Sequence, residues 1–217
     1  WSPNCVEWTI TQFAAFKAGI ILVNLNPAYK SSELEYVLNK VSCKALVIAS
    51  QFKSSNYQEI LTKIAPEITQ STSKLVSAKR LPHLKHIIKI DNEAHAGIHR
   101  FADLLPEPTP LQLDQLQAIA ADLQFDETIN IQFTSGTTGN PKGTMLTHNN
   151  ILNNGYFVGE AIHLTPQDRV CISVPLFHCF GMVMGNLACI THGSAMIYPS
   201  AVFNPLDTLK TIQQEKC

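Results

Sequence analysis

Charge is scarce in this chain. Only 15 % of its 217 residues are Asp, Glu, Lys or Arg, and the formal net charge is −1. A near-neutral surface does not gather polyanions at long range, which excludes a general nucleic-acid binder. C-x-x-C pairs are absent, and the six cysteines, at positions 5, 43, 171, 179, 189 and 217, match no zinc framework. Most of them lie in apolar stretches such as Val170–Val174, so they read as buried, reduced thiols of a reducing compartment. Low-complexity tracts and internal repeats are also absent. With 45 % hydrophobic residues the chain has ample material to offset its conformational entropy, which excludes disorder.

No basic segment followed by an apolar run opens the sequence, so no signal peptide is visible. The first residue is Trp1 and the last is Cys217, and the chain reads as an internal fragment. Val170 to Leu206 carries no Asp, Glu, Lys or Arg, which raises the question of a membrane span. Pro175, His178, Asn186, His192, Gly193, Pro199 and Pro205 interrupt that run. Its cleanest apolar piece, Cys179–Ile190, is too short to cross a bilayer. A strand, a buried helix and a second strand account for it better.

What is present is an alternation of helix and strand. Asn4 followed by Glu7 reads as a capping box for a helix whose apolar face is Val6, Ile10, Phe13 and Ala14, stopped by Gly19. Ile20–Val23 reads as a strand, and Ser32 opens a helix carrying Leu34, Val37, Leu38 and Val41. Ala45–Ile48 is a strand, Tyr57–Ile64 a helix ended before Pro66, and His86–Ile90 a strand. After a loop with prolines at 106, 108 and 110 come a helix at Leu111–Leu123 and a strand at Ile129–Phe133. Strands at Thr144–Thr147, Val170–Val174 and Ala195–Tyr198 then alternate with helices at Asn150–Ile162, Gly181–Ile190 and Leu206–Glu215. The pattern predicts an α/β fold of layered, mostly parallel sheets flanked by helices.

His83, His86, His95 and His99 have spacings that metal ligands use. Lys79, Arg80, Lys85, Lys89 and Arg100 surround them and would repel a cation, so the stretch reads as a solvated face with no metal site. The same stretch lacks interleaved aromatics, and Asp91 and Glu93 dilute it, which argues against a nucleic-acid patch.

The most unusual segment follows the Ile129–Phe133 strand: Thr134, Ser135, Gly136, Thr137, Thr138, Gly139, Asn140, Pro141, Lys142, Gly143. Glycines let backbone amides face a ligand, four hydroxyls add donors, and Lys142 adds one positive charge. A polyphosphate needs that combination of converging donors and a cation. The same residue types also make ordinary surface turns, so composition alone leaves both readings open. The segment is not a Walker A loop, because Pro141 stands where glycine would be and Gly143 where Ser or Thr would be. No G-x-G-x-x-G or G-x-S-x-G occurs, which removes a dinucleotide fingerprint and a hydrolase elbow. Neighbouring residues on a helix or strand point apart, so His178 and Cys179 are not a nucleophilic dyad.

The ordered arrangement closely resembles the phosphate-binding signature of the adenylate-forming superfamily, [ST]-S-G-[ST]-T-G-x-P-K-G, at every fixed position. That superfamily comprises acyl- and aryl-CoA synthetases, peptide-synthetase adenylation domains and beetle luciferases. Leu146–Asn150 resembles its strand-to-helix junction after the loop. Val174–Gly181 resembles its P-[LM]-[FY]-H-x-x-G segment, and Phe16–Gly19 with Val23–Pro27 resembles its helix-strand approach. Pro175–Gly181 and Asn24–Tyr29 look most like medium-chain fatty acyl-CoA synthetases.

The resemblance implies an AMP-forming fatty acid–CoA ligase that uses ATP with Mg²⁺, a carboxylic acid and coenzyme A. By position it implies that Thr134 to Lys142 contact ATP and that Lys142 and His178 take part in catalysis. It also implies that His178, Phe180 and Gly181 line the acyl pocket. Residues 1–217 would be an incomplete N-terminal AMP-binding domain, with a first βα portion at 1–110 and the phosphate loop and part of the pocket at 111–217. The family's later aromatic-Gly-x-Thr-Glu segment, ribose-gripping Asp, hinge Arg and C-terminal Lys are not in these residues, so the fragment alone is expected to be inactive. The cytoplasm or mitochondrial matrix is the expected setting. Aryl-acid ligases, peptide-synthetase adenylation domains and non-catalytic nucleotide-binding homologues share the signature and stand as alternatives.

Overall fold

The computed structural model describes residues 1–71, 73–91, 93, 95, 97–134 and 139–217. The elements begin with α1 (Val6–Lys17), β1 (Leu22–Asn24), α2 (Ser31–Lys40), β2 (Ala45–Ile48), β3 (Gln51–Phe52), β4 (Ser55–Asn56) and α3 (Tyr57–Ile64). They continue with β5 (His86–Lys89), β6 (His99–Arg100), α4 (Pro110–Asp122), β7 (Thr128–Thr134), β8 (Lys142–Thr147) and α5 (His148–Ala161). The last are β9 (Arg169–Cys171), a π-helical stretch (Phe180–Leu187), α6 (Ala188–His192), β10 (Ala195–Ile197) and α7 (Pro205–Glu215). Short 3-10 turns lie at Pro66–Gln70 and Phe101–Leu104. The chain divides into two compact units with interleaved segments: Trp1–Ser2, Leu25–Thr109 and Ser135–Lys142 in one, and Pro3–Asn24, Pro110–Thr134 and Gly143–Cys217 in the other.

In the first unit β2, β5 and β6 form a parallel sheet, with Leu46 opposite Ile87 and Ile88 opposite His99. The β3–β4 hairpin is antiparallel. Leu34, Val37 and Leu38 of α2 are buried, as their helical spacing predicts. The Asn56 side chain caps α3 by accepting the Glu59 N–H at 3.1 Å. Trp1 stacks on buried Tyr57 at 3.6 Å between ring centres, and the Tyr57 hydroxyl donates to the Pro27 carbonyl at 2.8 Å.

The solvated basic face expected around residues 79–100 holds only in part. Lys89 is 4 % exposed. Its ammonium lies 2.7 Å from an Asp91 carboxylate oxygen and 2.7 Å from His95 Nε2. A lysine can be buried here because its charge is matched on the spot. Burial alone would raise the Asp91 carboxyl, but hydrogen bonds from Lys89 and Ser50 outweigh it and hold the group below the usual carboxylate range. A depressed folded pKa contributes stability above the unfolded value, and that stability is lost as pH falls through the folded value. Asp91→Asn therefore lowers stability at neutral pH and flattens its fall in acid, read as urea midpoints from about pH 6 to 2. An unchanged acid limb would contradict the pairing.

In the second unit β1 pairs with β7 in parallel, Leu22 opposite Asn130 and Asn24 opposite Gln132, and the sheet order is β1-β7-β8. β9 and β10 form a second parallel pair. The core gathers Trp8, Phe16, Ile129, Ile151, Ile172 and Met182 among others.

Two expectations fail in this unit for one reason: buried polar groups find partners. The Asn4–Glu7 cap of α1 does not form, since Cys5 is the N-cap and its side chain makes no capping hydrogen bond. The buried face of α1 is Trp8, Thr9, Gln12 and Phe16, while Val6 and Ile10 are exposed. Thr9 and Gln12 accept from the buried Asn186 carboxamide at 3.0 Å each, and Thr9 pairs with the Tyr198 hydroxyl at 2.7 Å. Met182, Val183 and Leu187 are buried within the helix expected at Gly181–Ile190, but its first part is π-helical, a geometry that apolar spacing does not reveal. The cysteines also depart from expectation. All six are free, but only Cys189 is buried, while Cys217 is exposed. Among the described residues no helix is long and apolar enough to cross a membrane.

Candidate active site

Strand β7 leads into the glycine- and hydroxyl-rich segment and β8 follows it. The expected contact residues Ser135, Gly136, Thr137 and Thr138 lie outside the described residues. The flanks are described. Thr134 ends β7 with its side chain exposed, and Lys142 opens β8, also exposed. Gly139 has φ +96° with nothing within 4 Å of where a Cβ would sit, so glycine serves the backbone conformation there and not the space. The strand-to-helix junction falls where it is expected: Thr147 caps α5, its hydroxyl accepting the Asn150 N–H at 3.1 Å while Asn150 Oδ1 accepts the Thr147 N–H at 3.0 Å.

His178 lies on a turn between β9 and the π-helical stretch. Its ring is exposed, not enclosed in the core. The Phe180 N–H donates to His178 Nδ1 at 3.2 Å, which leaves the ring proton of the neutral imidazole on Nε2. The Gly181 and Met182 amides both donate to the His178 carbonyl, at 3.1 and 3.0 Å. Gly181 is buried, and Phe180 beside it is 52 % exposed.

Buried polar side chains, none of them among the expected site residues, hold this turn in place. Asn4 Nδ2 donates to the Val174 carbonyl and Asn4 Oδ1 accepts the Leu176 N–H, both at 2.9 Å. β9 stops at Cys171, short of the strand expected at Val170–Val174, and beyond it the Ser173 N–H donates to the Cys171 carbonyl at 3.2 Å. Asn24 donates to the Phe177 carbonyl at 3.3 Å and to Met182 Sδ at 3.3 Å. Asn130 donates to Asn24 Oδ1 at 3.0 Å. The Cys179 thiol donates to Gln132 Oε1 at 2.9 Å, so it points at the sheet and away from any dyad with His178. Burial pushes the Cys179 thiol pKa up. The one available signal for these residues was Asn130 and Gln132 at i, i+2 inside an apolar strand, which places both on one face. Asn4→Ala strips partners from two backbone groups, one on the buried Leu176. The expected loss is about 1–3 kcal/mol of unfolding free energy. Chemical denaturation of the full-length gene product measures it, and an unchanged midpoint would remove Asn4 from this role.

A separate cavity of about 770 Å³ lies in the first unit, lined by Ser50, Asn56, Gln58, Lys89, Asp91 and His95 among others. None of the expected site residues among the described ones lines it. Asp91, Glu93 and His95 bring ligand atoms within 4.8 Å of one another, but Lys89 fills the cation's place among them. His95 therefore pairs with Lys89, and His99 with His86 at 3.3 Å.

Comparison with known proteins places these features in a family. The sequence model of the AMP-binding enzyme family matches residues 1–217. The chain belongs to that family. It is 42 % identical over 219 residues to the medium-chain acyl-CoA ligase ACSF2, mitochondrial, of Danio rerio, covering all of this chain and 36 % of the relative. The human protein of that name is also 42 % identical, over 220 residues, with the same coverage. The chain thus spans little more than a third of the length of these curated relatives. Among solved structures, an anthranilate CoA ligase in complex with anthranoyl-AMP superimposes with a TM-score of 0.72 at 24 % identity. That match covers 98 % of this chain and 37 % of the other, and it establishes the α/β fold of adenylate-forming CoA ligases. The family and fold expectations are therefore borne out.

Proposed function

We propose that the full-length protein carrying this chain is an AMP-forming ligase that activates a medium-chain fatty acid and passes it to coenzyme A. One observation carries the reading: the signature at Thr134–Gly143 stands intact in a chain that the AMP-binding family covers from end to end. The substrate class follows the relatives named above, which are medium-chain acyl-CoA ligases by name.

In this reading Thr134 to Lys142 hold the β- and γ-phosphates of the MgATP substrate. Mg²⁺ takes oxygen ligands and keeps close to phosphate oxygens, which suits a loop of hydroxyls such as Thr134. A carboxylate oxygen attacks the α-phosphorus, the bond to the bridging oxygen breaks, and pyrophosphate leaves with the electron pair. Lys142 and the loop amides stabilise the charge growing on that leaving group. The thiol of coenzyme A then attacks the acyl-adenylate carbonyl and AMP departs.

His178, Phe180 and Gly181 line the acyl pocket, with the Nε2–H of His178 as the donor facing the substrate carboxylate. The chain is part of a larger N-terminal AMP-binding domain, and the 217 residues alone do not turn over. The protein works inside the cell, in cytoplasm or mitochondrial matrix.

Pyrophosphate exchange into ATP tests the proposal on the full-length gene product. Octanoate-driven exchange supports it. Exchange driven by benzoate alone transfers the protein to aryl-acid ligases, and exchange with neither acid contradicts the acyl-CoA ligase reading.

A further inference from the structure

We infer that Gln132 is a positioning residue, which fixes the His178 turn against the strand that leads into the Thr134–Gly143 segment. The inference rests on the ligase reading above and adds a residue to it. Strand pairing carries it. Asn24 of β1 lies opposite Gln132 of β7 in the parallel register. From these neighbouring positions two buried carboxamides reach the residues on either side of His178. Asn24 Nδ2 donates to the Phe177 carbonyl at 3.3 Å, and Gln132 Oε1 accepts from the Cys179 thiol at 2.9 Å. Both carboxamides also donate to Met182 Sδ, at 3.3 Å from Asn24 and 3.7 Å from Gln132.

At its other end Gln132 is tied to the signature. It stands two residues before Thr134, the last residue of β7 and the first of the Thr134–Gly143 segment. The strand period of two puts Gln132 and Thr134 on one face. One buried side chain therefore joins the strand entering the proposed ATP loop to the turn carrying the proposed pocket histidine.

The fold itself gains little from a glutamine here. Gln132 is 6 % exposed. Among the described residues its carboxamide hydrogen-bonds only sulfur, a thiol that is a weak donor and a thioether that is a weak acceptor. Burying an amide with weak partners costs free energy, and an apolar side chain of similar size would pack there without that cost. What the carboxamide adds is direction, because its bond to the residue after His178 sets where the turn sits. Adenylation needs the carboxylate held in line with the α-phosphorus, and a misplacement of about 1 Å costs about 10²-fold in rate. Gln132 touches neither substrate in this reading. Its loss therefore leaves binding in place and slows the chemical step.

The test is a double-mutant cycle in the full-length gene product, read as octanoate-driven pyrophosphate exchange and as melting temperature. Absence of exchange in the wild type overturns the ligase reading, and this inference with it. Where the wild type exchanges, Gln132→Leu lowers kcat about tenfold, keeps KM for ATP and for octanoate within about twofold, and leaves the melting temperature near wild type. Cys179→Ala, which deletes the donor at the other end of the contact, gives the same loss. Cys179→Ser, which keeps a donor, retains wild-type kcat. The double variant Gln132→Leu/Cys179→Ala is no slower than either single one, because both remove the same contact. If Gln132→Leu does not fold, the contrast between Cys179→Ala and Cys179→Ser decides alone. Losses that multiply in the double variant overturn the inference while the ligase reading stands. So does an unchanged kcat in Gln132→Leu, or a Cys179→Ser variant as slow as Cys179→Ala.

Discussion

Lys142→Ala in the full-length gene product lowers octanoate-dependent pyrophosphate exchange by about 10²–10³-fold, the effect of removing one preorganised charge donor from a transition state. The direction follows from charge. Pyrophosphate departure concentrates negative charge, and Lys142 is the single cation of the Thr134–Gly143 segment. The side chain is exposed at the first residue of β8, so its loss creates no cavity and leaves the melting temperature near wild type. That separation is the check: a fall in exchange accompanied by unfolding would point to a structural lysine. Lys142→Arg keeps the charge but not the compact ammonium, and retains part of the activity.

Gly181→Ala has the largest expected effect on stability. A Cβ at this position would lie 2.4 Å from the Pro175 carbonyl oxygen, 2.7 Å from its carbon and 2.9 Å from the Leu176 nitrogen. All three are backbone atoms, and Asn4 fixes the residues on either side of Pro175 from the other direction. No side chain can swing aside, so the turn itself must open. The cost is at the upper end of over-packing, about 3 kcal/mol. Differential scanning calorimetry of Gly181→Ala beside Phe180→Ala measures it. Phe180 is 52 % exposed, so its truncation leaves the melting temperature nearly unchanged. Equal melting temperatures for the two variants would mean that the close approach of Gly181 to Pro175 is not a constraint on the fold.

The legible parts of the fold were those written in repeating patterns. Leu34, Val37 and Leu38 mark their helix by spacing, and β2 at Ala45–Ile48 is a plain apolar run. The Thr147–Asn150 junction and the signature itself are local chemistry, legible without knowing the fold. The illegible parts depend on what the chain brings together. Asn4 resembles a helix cap in sequence, yet its carboxamide is taken by Val174 and Leu176, 170 and 172 positions away. Thr9 and Gln12 look like the outer face of α1, until Asn186 makes burying them cheap. Lys89 looks like one more solvated charge, until Asp91 and His95 enclose its ammonium. At the candidate site, the motif at Val174–Gly181 singles out His178 as an expected pocket residue. Asn24, Asn130 and Gln132, which lie under its turn, were not legible, because a polar residue in a strand signals a role only once its neighbour across the sheet is known.

The most direct test of the whole account is the fate of the carboxylate oxygen. The full-length gene product is given ATP, coenzyme A and octanoate labelled with heavy oxygen, and the nucleotide product is weighed. Attack of the carboxylate on the α-phosphorus predicts AMP carrying one heavy oxygen for each octanoyl-CoA formed. Unlabelled AMP, or ADP with phosphate as the products, would contradict it.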